Sequence, residues 1–218
     1  MFIYEQILKN VAGELGEVKS DACLGRAAQK AAEAAEEIIN AEKDKTSFEL
    51  IACKVGCAHC CVVYITVLFP EAVNIARYLE RGGEGDKFIP LLENRVRETM
   101  WTDEQDWSLL GKKCIFLDES GACSVYPVRP LLCRAVTSVS AEDCHEALAS
   151  RIMGEETPVL MNLTVKKAYE QGFRALADGM SGAGMDSAGL ELTRAVLFAL
   201  KNNDIARRLK NGEKIRPF

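Results

Sequence analysis

Four cysteines stand within nine residues, in the run Cys53-Lys-Val-Gly-Cys57-Ala-His-Cys60-Cys61, and four more follow at Cys114, Cys123, Cys133 and Cys144. A fold for this chain has to place eight thiols, four of them within nine residues, and that demand constrains it more than any apolar pattern. Thiols so near one another compete poorly for separate disulfides but suit a soft metal centre that several thiolates share. The nine cysteines of the whole chain are an odd number and about 4% of its residues, below the roughly 8–10% that marks disulfide scaffolds. At 218 residues, the chain is long enough to bury a core without cross-links. The clusters therefore read as metal ligands.

The first cluster admits two geometries. On a helix, the offsets 0, 4, 7 and 8 put all four sulfurs within an arc of roughly 100°. A tetrahedral ion cannot be enclosed from one side, so further ligands would have to come from the second group. In a loop, Cys57-x2-Cys60 is the two-residue spacer that lets backbone amides face metal-bound sulfurs. Gly56 and Val62-Val63 weaken the helix, and both geometries stand. Cys60 and Cys61 are adjacent, and neighbouring side chains on extended chain diverge. They would serve different metals or different corners of one cluster. Two four-ligand sites and one site with four spare thiols are equally compatible with the spacing.

In the second group, Cys114-Ile-Phe-Leu-Asp-Glu-Ser-Gly-Ala-Cys123 reads as a small hairpin with a polar turn. Pro127 and Pro130 stiffen the next stretch and keep Tyr126 and Arg129 out of α geometry, so that Cys133 rides on a rigid arm. Arg129 and Arg134 flank Cys133. They either lower thiol pKa and offset thiolate charge, or make ordinary ion pairs. Cys23, thirty residues from the next cysteine, reads as a small buried apolar residue. His59 and His145 each sit beside a cysteine and read as bystanders rather than ligands.

The rest of the chain reads as helix. Ile3, Ile7, Leu8, Val11 and Leu15 keep 3–4 spacing, and an alanine-rich helix follows from a Ser20–Asp21 cap through Ala41. Val62–Phe69 is a short strand or extended link. Pro70 and Glu71 open a helix that ends at Arg81-Gly82-Gly83. Further helices fit 90–100, 103–110, 157–180 and 186–202, with a flexible break at Ser181-Gly182-Ala183-Gly184. Asp103, Glu104 and Asp106 read as a helix cap and solvated surface.

A net charge of −5 and a pI near 5.3 argue against nonspecific grip on nucleic acid. The basic stretch from Arg207 to Arg216 reads as a solvated helix end. The N-terminus, with Glu5 in its first apolar stretch, does not resemble a signal peptide. No run reaches the roughly 18 apolar residues of a membrane span. The expected compartment is the reducing cytoplasm, where clustered thiols serve as metal ligands or redox groups.

The residues Cys53-x3-Cys57-x2-Cys60-Cys61, Cys114-Ile-Phe-Leu, Gly121-x-Cys123-x-Val-Tyr126-Pro and Arg129-Pro130-x2-Cys133-Arg134, with the later Cys144, resemble a known family. It is the CxxCxxCC (YkgJ-like) family of zinc- or iron-chelating cysteine-cluster domains. The first spacer is three residues here rather than the two of the family's name. The resemblance implies a metal-chelating cysteine core. The family also includes flagellin lysine N-methylase, which raises protein-lysine methylation as an alternative activity. No glycine-rich loop after a strand accompanies it. The radical S-adenosylmethionine spacing of Cys53, Cys57 and Cys60 likewise lacks the repeated strands of a βα barrel.

The expected protein is mainly α, one domain over 1–218, with a metal-binding core at 50–145 between helical flanks at 1–49 and 150–218. Its ligands would be Cys53, Cys57, Cys60, Cys61, Cys114, Cys123, Cys133 and Cys144, holding an iron–sulfur cluster as first choice or zinc. A protein partner is compatible with this reading.

Overall fold

A computed structural model describes residues 2–42 and 51–217. Ten α-helices and a single two-stranded pairing among those residues make the protein mainly α. Helix α1 (Phe2–Gly16) buries Ile7, Val11 and Leu15 at the expected spacing. The side chain of Ile3, first in that stripe, lies outside the described residues, as do positions 43–49 of the expected N-terminal flank. Ser20 Oγ accepts the Cys23 N–H at 3.4 Å and opens α2 (Asp21–Glu42). Helix α2 packs against α1, against α3 (Phe69–Arg81) and against α8 (Leu163–Gly182). Its buried Ala27, Ala31, Ala34 and Ala35 keep those neighbours close. The contact of α1 with α8 is equally tight: a Cβ added at Gly179 would stand 3.1 Å from side-chain atoms of both Leu15 and Val11.

Two buried carboxylates tie the helices together. Asp21 accepts Arg77 at 3.0 Å and the Ala206 N–H at 2.7 Å, joining α2, α3 and α10 (Ile205–Lys210). Glu71 accepts the Leu68 N–H and the Leu131 N–H, both at 2.8 Å. One carboxylate thus serves the starts of α3 and of α6 (Leu131–Ala135), where free amides favour negative charge. Burial still pushes Glu71 up to about 7.

Several boundaries differ from the sequence reading, each for a local reason. Helix α4 (Gly85–Thr99) begins before Pro90, which sits inside it. Phe88, Leu92 and Val96 form its buried stripe; at about 1.5–3 kcal/mol each, they offset the roughly 3 kcal/mol of an interior proline. The expected helix at 103–110 divides into α5 (Glu104–Trp107) and a 3-10 turn, with Asp103 capping as expected by accepting the Asp106 N–H at 3.0 Å. Helix α7 (Ala141–Ile152), which has no counterpart among the expected helices, carries Cys144; Ser140 Oγ caps it by accepting the Asp143 N–H at 3.1 Å. Helix α8 starts at Leu163 rather than 157 because Asn162 accepts the Thr164 and Val165 N–H groups, both at 3.1 Å.

The extended link at 62–69 includes β1 (Thr66–Val67), which pairs antiparallel with β2 (Leu190–Glu191). That pairing delays α9 (Leu192–Lys201) beyond the expected 186, and Glu191 caps it by accepting the Thr193 and Arg194 N–H groups at 2.8 and 3.0 Å. The basic C-terminal stretch is anchored within the chain: Arg207 pairs with Asp204, Arg208 with Glu213 and Arg216 with Asp186. Cys23 corrects another expectation. It is half-buried, and its Sγ accepts from Ser20 Oγ at 3.3 Å and Arg26 Nη2 at 3.1 Å. Among the described residues no helix is long and apolar enough to cross a membrane.

Candidate metal centre

The loop geometry of the first cluster is the one observed. Residues 53–61 run through successive turns, with the Cys57 N–H donating to Lys54 O and the Cys61 N–H to Ala58 O, both at 3.0 Å. Gly56 takes a positive φ of 83° and Gly121, at the tip of the hairpin, one of 81°. The two glycines press together, so that a Cβ on Gly121 would lie 3.3 Å from Gly56 O. The expected hairpin forms: Leu117 and Cys123 bridge across it, and Asp118 Oδ1 accepts the Ser120 and Ala122 N–H groups at 2.8 and 2.9 Å. A 2.6 Å bond from Cys114 N–H to Cys61 O joins hairpin to loop. At the other end, the Ala52 N–H donates to Ser138 O at 2.8 Å and the Ser138 N–H to Cys53 Sγ at 3.3 Å.

These segments surround a cavity of about 670 Å³. Seven of the eight candidate cysteines line it; Cys144 on α7 does not. Cys144 stands near enough to Cys53 for their thiolates to repel. Beside them the rings of His59 and His145 meet edge to face, with centroids 5.8 Å apart. All nine thiols are free. Among the described residues, no group of three or more His, Cys, Asp or Glu converges on a point where an ion could sit. The cysteines ring the cavity rather than close on its centre.

Their electrostatics ask for a cation. Burial pushes the Cys114 thiol up to about 11 and Cys133 well above the ordinary thiol range, and raises Cys53 and Cys123. Cys60 is raised first by its hydrogen bond with Cys61 and then by burial. Repulsions link Cys53 with Cys57, Cys60 and Cys144, and Cys133 with Cys114 and Cys123, while Cys60 couples directly to Cys61. Thiols buried this way stay protonated at neutral pH unless a metal ion stabilises the thiolate. The donor set, almost all sulfur, is soft and fits zinc or iron.

The two arginines flanking Cys133 take different roles, one for each of the expected alternatives. Arg134 is structural, pairing with Glu36 at 2.5 Å and donating to Arg129 O and Pro127 O, both at 2.9 Å. Arg129 makes no ion pair among the described residues. Its guanidinium lies over the Tyr126 ring, 4.2 Å from the centroid, and its charge opposes the upward shifts of Cys60, Cys123 and Cys133.

Residues 52–152 match the family model CxxCxxCC, described as "Putative zinc- or iron-chelating domain". Over those residues the chain is similar to the CxxCxxCC family. No curated protein and no solved structure gives a significant match. All eight candidate cysteines fall inside the CxxCxxCC match, which ends with the last residue of α7. That helix lies inside the matched span, and sequence reasoning passes over it. Its signal was present as Ser140-Ala-Glu-Asp143, a serine followed three residues later by an acid at a helix start.

Proposed function

We propose that Cys53, Cys57, Cys60, Cys61, Cys114, Cys123, Cys133 and Cys144 hold a thiolate-bound zinc or iron centre, with iron–sulfur preferred to zinc. The observation that carries this reading is one cavity lined by seven of these thiols, several raised by burial. Eight sulfurs beside only two histidines in the chain favour iron–sulfur, although four thiolates also suit zinc. The ligands divide into two sets in this proposal. Cys53, Cys57, Cys60 and Cys144 come from the loop and α7; Cys61, Cys114, Cys123 and Cys133 come from the loop's end, the hairpin and α6. The division is supported by the repulsions around Cys53 and around Cys133 and by the bond from Cys114 to Cys61, with the Cys60–Cys61 hydrogen bond joining the two sets. It gives the adjacent pair Cys60 and Cys61 one member in each set.

An iron–sulfur centre would supply electron transfer, and zinc a structural or recognition role; either suits a reducing compartment such as the cytoplasm. The chain's own contribution is the desolvated cavity, the fixed loop-to-hairpin contact and the cationic neighbour Arg129. Cys57→Ser and Cys133→Ser test the assignment, one in each set. Each is expected to lower bound metal by about half while lowering Tm, because metal binding is folding free energy. Full metal content in both variants would overturn it.

A further inference from the structure

The chain has two tryptophans, and they face opposite ways on one short loop. Residues 99–113 leave the end of α4 and return beside it. Arg194 Nη2 donates to Thr99 O at 2.9 Å, Lys112 pairs with Glu98 at 2.8 Å, and Arg95 donates to Lys113 O at 2.8 Å. On the inner side Trp107 is buried, with the Tyr64 ring edge to face at 5.3 Å, and Ser108 is buried next to it. On the outer side Trp101 is 91% exposed, and Met100, Leu109 and Leu110 are exposed with it. Large apolar side chains gathered on an anchored loop, rather than scattered singly, mark an interaction surface. Tryptophan is the residue most enriched among those that dominate binding energy.

The charges on the loop choose its occupant. Asp103, Glu104 and Asp106 are exposed between Trp101 and Leu109, and none of the three forms an ion pair among the described residues. The neighbouring cations stand at the base of the loop, where Lys112 is held by Glu98 and Arg97 donates to Asn94 at 3.4 Å. A two-fold contact between copies of this chain would set the three carboxylates against their like. An anionic lipid surface would repel them. A segment carrying Lys or Arg beside apolar side chains satisfies both halves of the patch. We propose that the 99–113 loop docks a cationic amphipathic segment of a partner protein, with Trp101 as its apolar anchor and the three carboxylates facing its basic side chains. The proposal goes beyond the metal reading and rests on residues outside the cysteine clusters. The inward Trp107 lines the cysteine cavity, so the partner would sit beside the candidate centre.

The probe is a fluorescently labelled amphipathic helix of leucine and lysine, compared with its leucine–glutamate counterpart, each titrated with the full chain. Anisotropy of the label reads binding, and tryptophan emission with unlabelled peptide reads its place. The lysine peptide is expected to bind, more weakly as salt rises, and to move the emission to shorter wavelength as Trp101 leaves water. Trp101→Ala with Leu109→Ser keeps every charge and should weaken binding about tenfold or more. Glu104→Gln with Asp106→Asn keeps the apolar face and should flatten the salt dependence. All four positions are exposed, so both variants should keep the parent's far-ultraviolet circular dichroism. Equal binding of the glutamate peptide, no binding at millimolar concentrations, or undiminished binding by the Trp101 variant would overturn the proposal. So would the same emission shift on adding phosphatidylcholine vesicles, or on concentrating the chain alone, which would assign the loop to a lipid surface or to a second copy.

Discussion

Cys23 and Glu71 are shifted in opposite directions by their surroundings. Cys23 lies in the first turn of α2, and hydrogen bonds led by that of Ser20, with help from the backbone and Arg26, lower its thiol to about 7. Alkylation by iodoacetamide, followed at the Cys23 peptide, should therefore rise with a midpoint near pH 7, and Ser20→Ala should move it upward. A midpoint near that of an ordinary thiol, about 8.5, would contradict the geometry. Glu71 is buried at the meeting of two helix starts and raised to about 7. Its folded pKa exceeds its unfolded one, so the folded state holds the proton between about 4.5 and 7 while the unfolded state has released it. Stability from this group is thus fullest below pH 4.5, declines by up to about 3 kcal/mol toward pH 7, and then levels. Urea midpoints across that range should fall in the parent and stay flatter in Glu71→Gln; parallel slopes would contradict it.

The loop and the hairpin act as one element because Gly56 and Gly121 touch. Gly121→Ala would force a Cβ into a left-handed φ of 81° and to 3.3 Å from Gly56 O. The expected cost is about 1–2 kcal/mol from backbone conformation, with part of the bound metal lost as the loop shifts. Urea unfolding and metal content read both effects, and an unchanged pair of values would show that the contact is incidental. The hairpin was legible in the sequence because Asp118, Ser120 and Gly121 encode the turn over a few residues. Helices α1 to α3 were legible for the same reason, through their stripes and caps. The pairing of Thr66 with Glu191 was not, since it joins segments far apart in the chain and two residues carry little β pattern. Nor was the approach of Cys144 to Cys53. It depends on the Ala52–Ser138 bond and on α7, whose serine cap was overshadowed by the cysteine at 144.

At the scale of the whole molecule, the flanking helices meet the cysteine segments at defined points. Helix α2 supplies Glu36 to Arg134, α3 supplies Glu71 to the start of α6, and α8 supplies Val165 and Tyr169 to the cavity wall. The apolar core therefore positions the thiols around the cavity. Metal binding is expected to stabilise the fold. The most direct measurement is iron, zinc and acid-labile sulfide per chain in protein purified without oxygen. Iron with matching sulfide is the expected result, and zinc without sulfide would keep the thiolate centre while contradicting the preference for a cluster. A folded chain carrying neither metal in stoichiometric amount would contradict the centre itself.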